Sequence, residues 1–162
     1  MKQNYVYILI GPPNCGKTTW RINNLNINDA ILSNDDIILE LSTNSNNYNL
    51  SFKEVNFKNV NKLFNEKFLE AIKNNKNIII DKTNMTIKSR KKLLSKIPKH
   101  YKKIAVLFEW DRTVLLERNI NRNKTENKYI PINVIDNFIE NFQSISDDEI
   151  YDEIININSF NV

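Results

Sequence analysis

Hydrophobic and polar positions alternate along the chain with two different rhythms, and the change of rhythm marks the elements. Tyr5 to Ile10 is a near-continuous apolar run, which predicts a strand buried on both faces and ending at Gly11. A helix is expected to begin near Gly16. Ala30 to Leu32 reads as a short second strand, with Asp35 and Asp36 just beyond its carboxyl end, on a loop opening a helix that carries Ile37, Ile38 and Leu41. Ser42 to Ser51, rich in Asn and Ser, reads as a loop. Val55, Val60, Phe64, Phe68, Ala71 and Ile72 recur at helical spacing and predict a long amphipathic helix ending around Asn74 and Asn75.

Ile78 to Asp81 predicts a third strand finishing on a carboxylate. A Lys-rich helix then runs from Ile87 to about Ile97 and stops at Pro98, before a fourth strand from Ile104 to Phe108. Arg112 to Arg122 reads as a helix that enters a polar segment, a candidate mobile lid over about 119–130. Pro131 fits the first turn of a helix from Ile132 to Phe142. The acidic segment 143–162 is expected to hold a last helix or a partly ordered tail over Asp147 to Ile155. Strands alternating with helices predict a single α/β domain over 1–162, three layers deep, with a parallel β-sheet flanked by helices and a helical lid.

The longest apolar runs are strand-sized, far short of the roughly 20 residues a membrane span needs, so a soluble chain with no membrane partner is expected. Cys15 is the sole cysteine, which excludes an intrachain disulfide framework, and the start MKQNYVYILIGPP lacks the layout of a secretory signal. Both point to an intracellular, cytoplasmic setting. Asn, Ile and Lys make up 71 of 162 residues, the types that adenine- and thymine-rich codons supply, so a strongly biased genome, viral or parasitic, is expected. Glycine occurs twice, against roughly 11 in an average chain of this length, and both copies, Gly11 and Gly16, share one short window.

Charge is uneven. Residues 1–128 hold 23 bases against 12 acids, a net +11, whereas the last 34 residues hold seven acids and no Lys or Arg. From Lys82 to Lys103 nine bases meet no acid, which suits a polyanionic partner as well as a solvated helix face.

Gly11-Pro12-Pro13-Asn14-Cys15-Gly16-Lys17-Thr18 fits G-x-x-x-x-G-K-[ST] between a predicted strand and a predicted helix, the setting of a phosphate-binding loop. Such a loop turns its backbone amides inward and aims the positive end of the following helix at the anion. Gly11 through Thr18, with Thr19, are the expected nucleotide-binding residues: Lys17 on the β- and γ-phosphates, Thr18 on Mg²⁺. Cys15 reads as a small packed residue of that loop, with no chemistry of its own. Asp81, closing an apolar strand, has the arrangement of a second Mg²⁺ ligand; a plain Asp/Asn strand-end turn has the same sequence. Phosphoryl transfer to an alcohol needs a base aimed at the γ-phosphate, and Asp35 or Asp36 suits that role; a functional Asp35 implies an Asp36 that faces elsewhere, as a helix cap. Arg118 and Arg122, four apart, share one helix face at the lid, where they can close on phosphates or make surface salt bridges.

These pieces together resemble the bacteriophage-type polynucleotide 5′-hydroxyl kinase domain, within the P-loop kinases. The resembling stretches are GPPNCGKTTW (11–20), LSNDDI (32–37), IIIDKTNMTIKSRKKL (78–93), LLERNINRNK (115–124) and IPINVIDNF (130–138). The resemblance implies an ATP- and Mg²⁺-dependent enzyme that transfers the γ-phosphate to the 5′-OH end of DNA or RNA. By it, Asp35 matches the general base, Lys17 and Thr18 the triphosphate and metal ligands, Arg122 the clamp on the donor phosphates, and Arg118 a second lid arginine. An arginine that follows the base by three residues in that family is Ile38 here, so acceptor binding is expected to rely on other groups: the D-x-T-N turn residues Thr83 and Asn84, and bases such as Lys88, Arg90, Lys91 or Lys92. Nothing resembles the D-x-D-x-T phosphatase signature often fused to such kinases. A small-molecule kinase acting on a sugar acid, nucleoside or nucleotide shares the loop, the lid and the acid after the second strand. A nucleic-acid-stimulated ATPase or switch would share the loop and the basic face.

Overall fold

The structure, a computed structural model, describes residues 2–158. Its centre is a five-stranded sheet, all parallel, in the order β2-β3-β1-β4-β5. The strands are β1 (Asn4–Ile10), β2 (Ala30–Ser33), β3 (Ile78–Asp81), β4 (Tyr101–Glu109) and β5 (Glu153–Asn158). The helices are α1 (Lys17–Asn24), α2 (Asn34–Leu41), α3 (Tyr48–Glu54), α4 (Phe57–Lys73), α5 (Ile87–Leu94), α6 (Arg112–Glu126) and α7 (Ile132–Glu140). The three-layer α/β architecture is therefore the one the sequence pattern predicts. No helix among the described residues is long and apolar enough to cross a membrane.

Because β1 lies mid-sheet, its side chains divide between two cores. Val6, Ile8 and Ile10 join Ile78 and Ile80 under the apolar stripe of α4, where Val60, Phe64, Phe68 and Ala71 are buried. Leu9 joins Ile79, Val106 and Phe108 under α1, α6 and α7, with Leu115 and Ile135 buried there. Each such side chain contributes about 1.5–3 kcal/mol by leaving water. Register then positions the site. Ser33 pairs with Asp81, and Ile8 with Ile80, so β2, β3 and β1 end side by side, and the loops that leave them converge on one crevice.

Four differences from the sequence expectation have physical causes. Tyr48–Glu54 is a helix, not loop: Asn47 caps it by accepting from Leu50 N–H, and Ser51 is fully buried with its hydroxyl on the Asn44 carbonyl. Asp35 and Asp36 stand in the first turn of α2, and Ser33, not Asp36, is its cap. Helix α6 runs past its expected end at Arg122 to Glu126 and stops at Asn127, which takes the left-handed conformation at φ 50°. The acidic end forms β5 instead of a helix or tail; alternate residues Ile155 and Ile157 pack onto the sheet core, and Asp152 ties in by accepting from Lys103 N–H at 2.8 Å. The part of that segment beyond residue 158 lies outside the described residues.

Candidate active site

Loop 11–16 joins β1 to α1 and has no room for larger residues at its start. A Cβ on Gly11 would lie 2.5 Å from Cys15 Sγ and 3.1 Å from Phe108 Cβ. Asn14 (φ 67°) and Gly16 (φ 103°) take left-handed backbone, the conformation that lets successive amides of such a loop turn toward an anion. Gly16 precedes α1 without a side-chain cap, so the first amides of the helix are left without a capping side chain. Lys17 stretches back over the loop and donates to the Gly11 carbonyl at 2.8 Å and the Pro12 carbonyl at 2.7 Å. Cys15 is buried, and burial pushes its thiol pKa up against the pull of Lys17, in keeping with a packed residue without nucleophilic chemistry.

Thr18, Asp81, Asp35, Asp36, Arg21 and Arg122 line one cavity of about 300 Å³ at the carboxyl ends of the strands. Asp81 is buried enough that its carboxyl pKa is raised, with Lys17 and Arg21 opposing and the nearby Asp35 and Asp36 adding to the rise. Thr18 and Asp81 offer oxygen donors of the kind a Mg²⁺ takes, although among the described residues no three carboxylates lie close enough together to hold a metal ion by themselves. In the same cavity Arg21 lies 2.9 Å from Asp36 and 3.1 Å from Asp81, yet its buried Nε has no hydrogen-bond partner among the described residues. That orphaned donor fits an anionic ligand. Arg21 was not among the residues expected at the site, although it sits four positions after Lys17 and so on the same face of α1.

Asp35 is half-exposed at the other side of the cavity. One carboxylate oxygen accepts from the Tyr48 hydroxyl at 2.6 Å; the other accepts from the Lys128 ammonium, which also lies over the Tyr48 ring. Burial works to raise the Asp35 pKa, but Lys128, Tyr48 and, more distantly, Arg122 hold it below the usual carboxylate value. Its neighbour Asp36 turns to Arg21 instead. Sequence reasoning did not single out Tyr48 and Lys128 for the site, and no local signal could have found them, since Lys128 is 93 residues from Asp35.

The lid arginines converge on Asn14. Arg118 donates to its carbonyl at 3.1 Å, and Arg122 to its side-chain oxygen at 3.0 Å while also gripping Glu126 one turn on. The expected acceptor residues fall elsewhere. Arg90 is fully buried, donating through Nε and Nη2 to Glu149, through Nη1 to the Asn84 carbonyl and through Nη2 also to the Gln143 and Ser144 carbonyls, so it is a structural clamp and not a surface base. Asn84 is buried in a left-handed turn (φ 49°) and donates to the Leu9 carbonyl at 2.7 Å; the Thr83 carbonyl accepts from Gly11 N–H at 2.9 Å. Both brace the loop from behind. Thr83 lines a second cavity with Met85 and Phe138, and Lys88 is exposed on α5. None of these four lines the cavity that holds Asp35.

Fold and site together define a P-loop nucleotide-binding domain of the kinase-like class. Residues 6–145 match the family model AAA_33, an AAA domain, and the chain belongs to that family. No curated protein matches the sequence. Among solved structures the fold is similar to a chain of the Pnkp1/Rnl/Hen1 RNA repair complex, at 21% identity and TM-score 0.68, covering 87% of this chain. This chain spans only 44% of that one. It is also similar to a gluconokinase from Sinorhizobium meliloti 1021 (10% identity, TM-score 0.56, 98% of this chain and 84% of that). A third likeness is Chaetomium thermophilum Kti12 in complex with ADP-AlF3 (12% identity, TM-score 0.59, 94% and 88%).

Proposed function

We propose that this domain is an ATP- and Mg²⁺-dependent polynucleotide kinase acting on 5′-OH ends of DNA or RNA. The observation that carries the reading is the shared cavity: Asp35, Thr18, Asp81 and Arg122 all line it, which brings a base for an alcohol into the same space as groups suited to phosphate and metal. In this reading the amides of 11–18 cradle the triphosphate, and Lys17 exchanges its two loop carbonyls for phosphate oxygens. Thr18 and Asp81 would hold the Mg²⁺, which would supply positive charge against the phosphates. Arg122 leaves Asn14 or Glu126 to stabilise the transferring group. Asp35, ionised at neutral pH, orients the 5′-OH and takes its proton as the new O–P bond forms and the bond to the ADP oxygen breaks. Tyr48 and Lys128 each use one lone pair of the carboxylate, which leaves acceptor sites for the hydroxyl.

The polynucleotide acceptor is supported by the +11 balance of residues 1–128 and by the likeness to a chain of an RNA repair complex. A small-molecule acceptor is favoured by one feature: the turn after α6 is tied to α3, with Asn49 N–H on the Asn127 carbonyl at 3.0 Å and Tyr129 N–H on the Asn49 side chain at 2.8 Å, so the 300 Å³ cavity is partly roofed. Transfer of labelled γ-phosphate to 5′-OH oligonucleotides by the natural chain and by Asp35→Asn tests the assignment. The variant is expected to bind ATP but lose transfer; undiminished transfer rejects Asp35 as the base. Acceptor affinity that falls steeply with salt supports a polyanion, and a shallow dependence supports the small acceptor.

A further inference from the structure

Exposed aromatic side chains continue outward from the acceptor side of the cavity. Tyr48, bonded to Asp35, carries the Lys128 ammonium over its ring and lies 6.0 Å, centroid to centroid, from Phe52. Phe52 in turn lies 5.0 Å from Phe57 in an edge contact. Phe52 and Phe57 are 47% and 44% exposed, and neither belongs to the two buried cores. Large exposed rings in a connected row, starting at a site and leading into solvent, are unusual for a surface with no ligand.

Charge along this stretch of chain is mostly positive. Between Tyr48 and Lys62 the chain carries Lys53, Lys58 and Lys62 and a single acid, Glu54. That acid is occupied, accepting from the hydroxyls of Ser42 and Thr43 and the amide of Asn44, which hold its pKa at about 2. Aromatic faces interleaved with ammonium groups, of which Lys62 lies 3.9 Å from Glu66 while Lys53 and Lys58 meet no acid among the described residues, are the makings of a single-strand platform, since every base has a stacking face and every phosphate a charge.

We propose that Phe52 and Phe57, with Lys53 and Lys58, form a stacking platform for the nucleotides that follow the 5′-terminal one in a single-stranded polynucleotide acceptor. The inference rests on the kinase reading above and adds the path of the strand: the 5′-OH end enters beside Asp35, and the next bases lie over the outer faces of the two rings, which touch each other and admit nothing between them. The platform predicts a preference for acceptors long enough to reach it.

The test measures KM for a nucleoside 3′-monophosphate and for 5′-OH oligonucleotides of increasing length. For Phe52→Ala and Phe57→Ala the ratio of long-acceptor to short-acceptor KM is expected to rise roughly 5- to 150-fold per lost stacking contact, with kcat held. Phe57→Trp is expected to restore the natural ratio, and Leu69→Ala, exposed on α4, to leave it unchanged. A Phe52→Trp chain gives a reading independent of turnover: oligonucleotide quenches its fluorescence if bases stack there. Unchanged length dependence together with no quenching overturns the platform while leaving the kinase reading intact. Absence of transfer to any polynucleotide by the natural chain removes the kinase reading itself. A change of oligomeric state in the alanine variants, in place of a change in KM, makes the rings a contact between copies and also overturns the platform.

Discussion

Removing the carboxylate of Glu149 should unfold the domain at a much lower temperature than any surface charge change. Arg90 and Glu149 are both fully buried, with Nε to Oε1 at 2.6 Å and Nη2 to Oε2 at 3.0 Å. In Glu149→Leu the guanidinium stays buried without its counter-charge, at a cost of about 3–5 kcal/mol. For a chain of this size that lowers Tm by roughly 6–20 °C. The double variant Arg90→Met/Glu149→Leu removes the orphaned charge but strands the carbonyls of Asn84, Gln143 and Ser144, together costing about 3–9 kcal/mol, so it is expected to be no more stable than Glu149→Leu. Sign with pH follows from the direction of the shift. Burial favours the neutral acid, but Arg90 and the Ser146 amide hold the Glu149 carboxyl below the ordinary 4.5. Its contribution is therefore present above pH 4.5 and lost as pH falls through the lower folded value. Urea melts of the single and double variants at neutral and acid pH measure all of this. A Glu149→Leu chain within 1 kcal/mol of the natural one would refute the clamp.

Other outcomes follow from the same geometry. Gly11→Ala is expected to displace Cys15 and Phe108 and so weaken ATP binding at least about tenfold by calorimetry, the equivalent of about 1.4 kcal/mol; unchanged affinity contradicts the tight packing of the loop. Lys128→Met leaves burial as the main influence on Asp35, so its carboxyl pKa, followed by ¹³C chemical shift, moves upward, and the acid limb of transfer moves with it; a pKa that stays below the ordinary 3.8 discards Lys128 as the controlling charge.

Much of the scaffold was legible because its signals are local. The apolar run Ile78 to Asp81 is strand β3 to the residue, and Val60, Phe64, Phe68 and Ala71 are buried as their spacing requires. The loop was legible too, since glycine at 11 and 16 is demanded by contacts and backbone within a few residues. What was missed depends on distance along the chain. Arg90 looked like one lysine-rich helix base among several; only the fold brings Glu149, 59 residues on, to bury it. Helix α3 hid in an Asn- and Ser-rich stretch because those residues cap helices as readily as they make loops. The β5 pattern, Ile155 and Ile157 alternating with Asn, was masked by the acids that precede it.

Position 38 is where this chain departs from the kinases its sequence resembles. In the resembled kinases a base-adjacent arginine lies three residues after the aspartate, whereas Ile38 is 2% exposed and packed in the core with Val60 and Phe64. A guanidinium there would have to be buried. Positive charge beside Asp35 comes instead from Lys128, just past the α6 cap at Asn127, and Lys128 is positioned because Asn49 of α3 holds Asn127 and Tyr129 on either side of it. On the proposed reading, the positive charge beside Asp35 is thus set by the lid turn docked on α3, so the base's surroundings and lid position are coupled. The same α3 begins with Tyr48 and leads to Phe52, which couples the aromatic row to that docking as well.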